Sequence, residues 1–402
     1  MIVCQINTVY KSGSTGKIAK DINGLLLDNG HKSYVAYGRG KHQDKNSIKI
    51  GSKNDMYLHA IGTRLFDKHG LYSKKATQNF IKEIEKLDID VFHLHNIHGY
   101  YLHYPTLFTY LKKVNKPIVW TLHDCWSYTG HCSYYDYSGC DKWMSECHDC
   151  PQTNMYPSSL VFDNSKDNFA LKKEYFLGLK NLAIVTPSNW LASEVKKSFL
   201  KEYDVRTVNN GIDLSVFKKT ETNFRKNHNI EEDFLILGVA NVWEDRKGFD
   251  YFIKLSKLIS DNKKIILIGL NENQLKDLPR NIIGIIRTNN QQELAEIYSC
   301  VDVFVNLTLE DNFPTTNLES LGCGTPVITF NSGGSPECID ENCGLVVEKE
   351  NIDEVYDAIQ KVQKDGKAKY SEYCIEMAKK YFDKEDRFME YIKLYIGEIK
   401  NV

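Results

Sequence analysis

The chain has 402 residues, of which 42% are hydrophobic and 26% are charged, and its formal net charge is −2. This length allows two domains of ordinary size, and this composition is typical of a folded protein and argues against a disordered or fibrous one. Because acidic and basic residues nearly balance, we expect no nucleic-acid partner. The first residues lack the pattern of a signal peptide, and no apolar run approaches the roughly 18 residues of a membrane span. We therefore expect a cytoplasmic protein whose cysteines are mostly reduced.

Short runs rich in β-branched residues alternate with amphipathic stretches along the first half of the chain. MIVCQINTVY at residues 1–10, IDVFHLH at 89–95 and KPIVWTLHD at 116–124 predict strands, and YPTLFTYLKKV at 104–114 predicts a helix. The pattern restarts in the second half, where the apolar runs DFLILGVA, KKIILIGL, VDVFVNL and TPVITF predict strands covered on both faces. Two such series predict an α/β fold with two doubly wound parallel sheets, which bind ligands at the carboxyl ends of their strands.

The strand pattern is interrupted by the polar stretch NNGIDLSVFKK at residues 209–219. We therefore expect an N-terminal domain at residues 1–208 and a C-terminal domain at residues 209–380. The remaining residues, 381–402, have helical periodicity, and we expect a helix there that packs back on the N-terminal domain.

The loop KSGSTGKIAK at residues 11–20 has the small residues of a phosphate-binding loop. It does not match the loop of nucleoside triphosphatases, because only two residues separate Gly13 from Gly16 and Ile18 occupies the place of the magnesium-binding hydroxyl. The free N–H groups at the start of the following helix are still suited to an anion. An ordinary turn between a strand and a helix explains the same residues equally well.

A dense polar cluster follows the predicted strand VDVFVNL. Asp311 and Glu319 are separated by seven residues, and Pro314 and Thr315 mark the start of a helix between them. One carboxylate then lies before the helix and the other two turns into it, so both can face one ligand. The N–H groups near Thr315 and Thr316 would be aimed at a phosphate. A capped surface helix with incidental acidic residues is the alternative.

This cluster resembles the E-x7-E region of retaining glycosyltransferase family 4. Asp311 stands in the first acidic place and Glu319 in the second. GTPV at residues 324–327 and GGSPE at 333–337 resemble the G-x-P-V and G-G-x-x-E segments that follow in the family. Aspartate replaces the usual glutamate, and Glu310 beside it is an alternative for the first acidic role.

Further segments extend the resemblance over nearly the whole chain. NVWEDRKGFDYF supplies Arg246 and Lys247 and is similar to the family's K-G segment, whose cation neutralises the donor diphosphate, although the usual earlier arginine is absent. VNNGIDLSVF resembles the interdomain segment of the family. Family members also begin with a strand and a G-G loop near the donor diphosphate, a place that Gly13 and Ser14 take here.

The resemblance implies a GT-B fold, in which two Rossmann-like domains face a central cleft. It implies a hexosyltransferase-type enzyme that moves a sugar from a nucleotide diphosphate sugar to an acceptor with retention of configuration, without a cofactor for the transfer. The implied catalytic residues are His123, Asp311 and Lys247. The implied donor-binding residues are Gly13, Ser14, Arg246, Lys247, Asn312, Phe313, Pro314, Thr315, Thr316 and Glu319. The implied acceptor-binding residues are His95, Asn96 and Asp124.

Histidines cluster after two neighbouring predicted strands. His123 ends one of them, where an imidazole can meet a substrate hydroxyl or phosphate, although a structural role is common at such a place. His93 and His95 share one face of the preceding strand and could chelate a metal. The family commonly has a histidine and an amide there, beside the acceptor, which favours His95 and Asn96 as cleft-lining residues.

An insertion at about residues 125–160 holds a group of cysteines with the spacing C-x7-C-x6-C-x2-C, namely Cys132, Cys140, Cys147 and Cys150. The closing C-x2-C and two further thiolates can hold one structural zinc ion. His131 and His148 are substitute ligands, and reduced, packed cysteines are an equal alternative.

A similar cysteine-rich loop occurs in family members that resemble colanic-acid, capsule and O-antigen enzymes. This implies a saccharide acceptor of surface polysaccharide biosynthesis that is carried on a lipid. We expect the protein to reach this acceptor by peripheral association with the inner face of the membrane. Two other hypotheses stay open. One is a nucleotide-sugar epimerase or phosphorylase of the same architecture, and the other is a non-catalytic, zinc-stabilised nucleotide-binding protein.

Overall fold

The computed structural model describes residues 1–42 and 44–400. Within these ranges the chain forms two compact units, each with its own core. The first unit contains Met1–Asn209 and the residues from Phe388 onward, and the second contains Asn210–Arg387. Residues 401 and 402 of the predicted C-terminal helix lie outside the described residues.

The first unit is built on seven parallel strands, β1 (Ile2–Val9), β2 (Lys32–Arg39), β3 (Ser47–Lys49), β4 (Val91–Leu94), β5 (Ile118–Thr121), β6 (Leu182–Thr186) and β7 (Asp204–Thr207). They form one sheet in the order β3-β2-β1-β4-β5-β6-β7. Its helices are α1 (Gly13–Asp28), α2 (Lys53–Phe66), α3 (Lys74–Ile84), α4 (Tyr104–Val114), α5 (Ser165–Phe176) and α6 (Asn189–Lys197). The central strands β4, β5 and β6 are buried along their whole length, as a parallel sheet covered by helices requires.

The second unit contains six parallel strands, β8 (Phe234–Val239), β9 (Lys263–Ile268), β10 (Ile282–Ile285), β11 (Val303–Asn306), β12 (Val327–Phe330) and β13 (Gly344–Val347). Their order is β10-β9-β8-β11-β12-β13. Its helices are α7 (Phe224–Asn227), α8 (Phe249–Ser256), α9 (Glu272–Lys276), α10 (Gln291–Cys300), α11 (Thr315–Gly322), α12 (Ile352–Asp365) and α13 (Ala368–Tyr381). Among residues 1–42 and 44–400, no helix is long and apolar enough to cross a membrane.

Both sheets confirm the predicted α/β fold with two doubly wound parallel sheets, and each has a point where the strand order reverses. In the first sheet the reversal lies between β1 and β4, and in the second it lies between β8 and β11. The loops that follow two such strands lie side by side at the carboxyl edge of the sheet, and this is where doubly wound sheets bind their ligands.

Helix α14 (Lys384–Lys400) begins in the second unit and completes the core of the first. Its residues Ile392 and Tyr395 are buried in one cluster with side chains of β1, β4, β5 and β6. The Tyr395 hydroxyl lies 2.6 Å from His93 Nδ1, and the Thr121 hydroxyl donates a hydrogen bond to the Tyr391 hydroxyl. One face of α14 from Phe388 onward therefore belongs to the core of the first unit.

Candidate active site

An ion pair lies where the strand order of the second sheet reverses. Lys247 ends a short 3-10 turn in the loop after β8, and Asp311 lies in the loop after β11. Lys247 Nζ is 2.5 Å from Asp311 Oδ2, and the two side chains are 23% and 17% exposed. The pair is thus partly buried yet open to a ligand, and it lies at the edge where a nucleotide is expected to bind.

Two glycines hold the loops of this ion pair close together. Gly248 has φ 79°, and a Cβ there would lie 2.1 Å from the Leu307 carbonyl oxygen. Gly333 has φ 53°, and a Cβ there would lie 2.0 Å from the Asp311 carbonyl oxygen, which also accepts a hydrogen bond from the Gly334 N–H at 3.0 Å. Only glycine fits such a backbone approach in a left-handed conformation.

Helix α11 begins directly after the loop that carries Asp311. Pro314 precedes it, and Thr315 and Thr316 in its first turn are partly exposed, so that their backbone lies where unpaired helical N–H groups attract an anion. Farther along, Glu319 Oε2 accepts a hydrogen bond of 3.3 Å from the Tyr298 hydroxyl. No local sequence pattern connects Tyr298 with Glu319 in the next helix, so the sequence holds no signal for this contact.

The other predicted donor residues of this unit differ in exposure. Asn312 and Phe313 are 3% and 4% exposed, and Glu310 is 3% exposed. Arg246 Nε lies 3.1 Å from Glu244 Oε2. Of the two candidate carboxylates for the first acidic role, Asp311 is therefore the one that is partly open and paired with Lys247.

In the first unit, the predicted phosphate loop leads into α1. Gly13 is the first helical residue and has φ 64°, with nothing within 4 Å of a Cβ placed there. Ser12 precedes it without a side-chain capping bond, and Ser14 follows in the first turn. A Cβ on Gly16 would lie 3.1 Å from Val9 Cγ2, so the small residue allows the helix to pack closely on β1.

A chain of hydrogen bonds fixes the protonation of His123 across the strand reversal of the first sheet. Gln5 donates through Nε2 to the Ala19 carbonyl at 3.1 Å, which turns its Oε1 toward His95 Nε2 at 3.1 Å. Because Oε1 can only accept, His95 Nε2 carries the proton and its Nδ1 accepts. His95 Nδ1 lies 3.0 Å from His123 Nε2, which must therefore be the donor.

Burial keeps both imidazoles of this chain neutral near pH 7. It holds the pKa of His95 well below its usual value and lowers the pKa of His123 to about 4. His123 thus carries its proton on Nε2, and His95 has both ring nitrogens bonded within the protein. Direct contact of His95 with an acceptor would require one of these bonds to break.

The ring nitrogens of His93 and His95, the two residues that could chelate a metal, have hydrogen-bond partners within the protein. His93 Nε2 lies 2.8 Å from the Thr121 hydroxyl and His93 Nδ1 lies 2.6 Å from the Tyr395 hydroxyl. All four ring nitrogens of the two histidines are therefore engaged. Across the described ranges, no three or more His, Cys, Asp and Glu side chains are arranged to hold a metal ion as they stand.

Asp124 and Asn96 follow β5 and β4, which are adjacent strands. Asp124 Oδ2 lies 2.8 Å from His98 Nε2, and His98 Nδ1 lies 3.1 Å from the Tyr156 hydroxyl. Burial raises the pKa of Asp124, but the neighbouring His98 and the Trp126 N–H outweigh it, so the pKa falls below its usual value. The carboxylate is therefore ionised at the carboxyl edge of the first sheet.

Two family models match the chain. The model described as Glycosyltransferase Family 4 matches residues 18–216, and the model described as Glycosyl transferases group 1 matches residues 220–381. The chain belongs to the glycosyltransferases. The first match covers most of the first unit and runs into the start of the second, and the second match lies within the second unit, so each unit of this glycosyltransferase has its own family counterpart.

Individual relatives agree with this assignment. The glycosyltransferase is 25% identical over 376 residues to WcaC of Escherichia coli (strain K12), provisionally named a colanic acid biosynthesis glycosyl transferase, and the match covers 88% of each chain. It is 26% identical over 254 residues to the N,N'-diacetylbacillosaminyl-diphospho-undecaprenol alpha-1,3-N-acetylgalactosaminyltransferase of Campylobacter jejuni subsp. jejuni serotype O:2, covering 58% of this chain and 65% of that one. The crystal structure of HepE of Anabaena with UDP-glucose has a TM-score of 0.68 and 13% identity over 99% of this chain and 100% of that one, a likeness of fold.

Proposed function

We propose that this glycosyltransferase is a retaining enzyme that moves a sugar from a nucleotide diphosphate sugar to a saccharide carried on a lipid, in surface polysaccharide biosynthesis. The ion pair of Lys247 and Asp311 is the observation that carries this proposal. A lysine at the strand reversal, beside the amino end of α11, is what binding of a diphosphate needs. HepE, which shares the fold, was crystallised with a donor of this kind.

The chemistry follows from the charges at this site. The donor diphosphate competes with Asp311 for Lys247, and Arg246 and the N–H groups of Thr315 and Thr316 add positive potential. The bond between the anomeric carbon and the phosphate oxygen breaks, and negative charge that grows on the leaving diphosphate is stabilised by these groups. The acceptor oxygen bonds to the anomeric carbon on the same face, and its proton passes to the leaving phosphate oxygen.

The remaining predicted residues hold the substrates. Asp311, released from Lys247, accepts hydrogen bonds from sugar hydroxyls, and Glu319 binds the ribose of the nucleotide. Because the His123 imidazole is neutral, it serves the sugar as a hydrogen-bonding group and not as a cation. By their resemblance to the family's G-G loop, Gly13 and Ser14 are proposed to bind the donor diphosphate, and Asn96 and Asp124 are proposed to bind the acceptor.

An outward apolar surface of the first unit supports the lipid-linked acceptor. Helix α2 exposes Leu58 and Ile61, one turn apart, by 68% and 55%, and the segment at residues 160–162 exposes Leu160 by 74%. The rings of Phe66 and Phe162 stack at 6.0 Å, which joins the helix and the segment into one surface. Basic residues Lys53, Arg64 and Lys68 lie on or beside α2 and suit anionic headgroups.

The membrane part of the proposal is tested with vesicles. The protein is expected to sediment with vesicles that contain phosphatidylglycerol, and the double variant L58E/I61E is expected to lose this binding. The double variant L258E/I286E places the same two charges at other exposed apolar positions, on the second unit, and serves as the control. Equal sedimentation of all three proteins, or none by the wild type, would contradict the membrane surface.

Transfer itself is tested by nucleotide release from a panel of nucleotide diphosphate sugars with a lipid-diphosphate saccharide acceptor. The variant K247A is expected to lower kcat/KM by roughly 10²-fold or more. K276A changes an exposed lysine of the same unit and is the matched control. Sugar turnover without any acceptor would identify an epimerase instead. Binding of a nucleotide without turnover of any donor would favour the non-catalytic hypothesis.

A further inference from the structure

The four predicted cysteines of the insertion face one small cavity. Cys132, Cys140, Cys147 and Cys150 all line it, although 18 positions separate the first from the last. Its free volume is about 10 Å³, which is the room for a single water-sized particle. Between β5 and α5 the described chain has only two short 3-10 turns, Trp126–Tyr128 and Lys142–Met144, so regular structure contributes little to holding this segment.

A backbone N–H donates to one of the thiols that line this cavity. The Gly130 N–H donates to Cys147 Sγ at 3.2 Å. N–H groups aimed at sulfur suit thiolates, because a charged acceptor forms the stronger bond.

The turn between the last two cysteines is held independently. Lys142 Nζ donates to the carbonyl oxygens of His148 and Asp149 at 3.0 and 2.9 Å. Asp149 has φ 42°, a left-handed conformation that aspartate tolerates better than most residues. The C-x2-C turn is therefore clamped in one conformation, as a pair of ligands to one metal requires.

A buried histidine offers a second, independent sign of a ligand. His131 also lines the cavity, is 2% exposed, and its Nε2 has no hydrogen-bond partner. Its other nitrogen, Nδ1, lies 2.5 Å from Asp67 Oδ1. A carboxylate behind an imidazole whose far nitrogen faces a cavity is the arrangement found around protein-bound zinc.

We infer that this cavity binds one structural zinc ion through the thiolates of Cys132, Cys140, Cys147 and Cys150, with the unpartnered His131 nitrogen facing the same ion. Metal binding needs the sulfurs to move from where they stand, because no three ligands in the described ranges are yet arranged around a point. The sulfur of each cysteine can move by rotation about one side-chain torsion angle, χ1, which has three staggered minima. Four sulfur ligands leave no open coordination site, so the ion takes no part in transfer.

The ion would act on the acceptor side of the first unit by holding the insertion in place. The insertion carries Tyr156, whose hydroxyl contacts His98, and His98 contacts Asp124. It also carries the Trp126 carbonyl, which accepts a hydrogen bond of 2.6 Å from the buried Lys172. Loss of the metal would release these contacts.

The first test measures metal in the purified full-length chain by mass spectrometry. About one zinc per chain is expected for the wild type and for C300S, a partly exposed cysteine of the second unit, against less than about 0.2 for C147S/C150S. Less than about 0.2 zinc per wild-type chain after expression with added zinc would overturn the inference. So would a thiol titration of the unfolded chain that finds disulfides in place of free cysteines.

A second test does not depend on a variant that folds. Cobalt substituted into the wild type is expected to give the visible bands of a tetrahedral site and the charge-transfer intensity of four thiolates. An octahedral spectrum without thiolate bands would overturn the inference. A charge-transfer intensity that corresponds to three thiolates, together with a spectrum that changes in H131Q, would overturn the set of four cysteine ligands. His131 would then be the fourth ligand.

Discussion

His95 Nδ1 lies 3.0 Å from His123 Nε2, and the amide of Gln5 determines the direction of that hydrogen bond. His123 is therefore expected to be the neutral tautomer with its proton on Nε2. Nitrogen-15 NMR of histidine-labelled protein at pH 7 checks this, with the signals assigned by their loss in H123Q. A proton on His123 Nδ1 alone would contradict the network. In Q5L the His95 tautomer is no longer fixed, and the His123 signals are expected to show both forms.

Acid is expected to destabilise the first unit. Burial lowers the pKa of His59 to about 3 and that of His123 to about 4, whereas an unfolded histidine titrates near 6.5. The unfolded state then binds more protons, so stability is full above about pH 6.5 and falls as the pH decreases toward these folded values. A fully buried histidine such as His59 is expected to lower the free energy of unfolding by roughly 2 kcal/mol between pH 7 and pH 5.

Urea unfolding followed by tryptophan fluorescence measures this effect, because four of the five tryptophans lie in residues 1–209. The midpoint is expected to fall from pH 7 to pH 5, and H59Q should show a smaller fall because one titrating group is removed. An unchanged midpoint for the wild type would refute the proton linkage.

The two neighbouring carboxylates of the second unit are expected to respond differently to loss of charge. D311N removes the partner of Lys247 and is expected to lower kcat/KM by roughly 10²-fold with little change in melting temperature. E310Q alters a side chain that is 3% exposed and is expected to act chiefly on melting temperature. Steady-state kinetics and thermal unfolding of both variants decide the question. The reverse pattern would assign the first acidic role to Glu310.

Gly333 is expected to tolerate no side chain. In G333A the new Cβ would collide with the Asp311 carbonyl oxygen in a left-handed backbone, so the loop must shift and stability should fall by roughly 2 kcal/mol or more. The KM for the donor should rise at the same time. G397A, where nothing lies within 4 Å of the added Cβ, is the control and should be neutral or slightly stabilising. Equal thermal unfolding of the two variants would show that Gly333 is not strained.

The sequence allowed most strands to be predicted but not all elements. The runs that form β4, β5, β8, β9, β11 and β12 are mostly apolar on both faces. Such runs can be recognised as buried strands from the local sequence, without knowledge of the neighbouring strands. The strand β3 has three residues, too few for a pattern. Helix α2 was not predicted, and its apolar residues Leu58 and Ile61 point outward, against the rule that an apolar stripe faces the core.

The sequence allowed candidate site residues to be named, but not the contacts between them. Lys247 and Asp311 were named from their segments, yet their ion pair joins residues 64 positions apart and depends on β8 lying next to β11. The bond between Gln5 and His95 spans 90 positions. The polar Gln5 within the apolar run MIVCQINTVY was the available signal, because a buried amide needs partners.

The path of α14 has a consequence for how the protein is made. One face of residues 388–400 packs into the core of the unit that begins at Met1, and Tyr391 and Tyr395 bond to polar groups of β5 and β4 there. A ribosome that has synthesised the first 209 residues has therefore not yet supplied everything that this unit needs. The second unit, whose residues are continuous in the chain, can finish folding during synthesis, whereas the first waits for the helix that follows it. A chain cut short before Phe388 would keep a gap in its first core and be open to proteolysis.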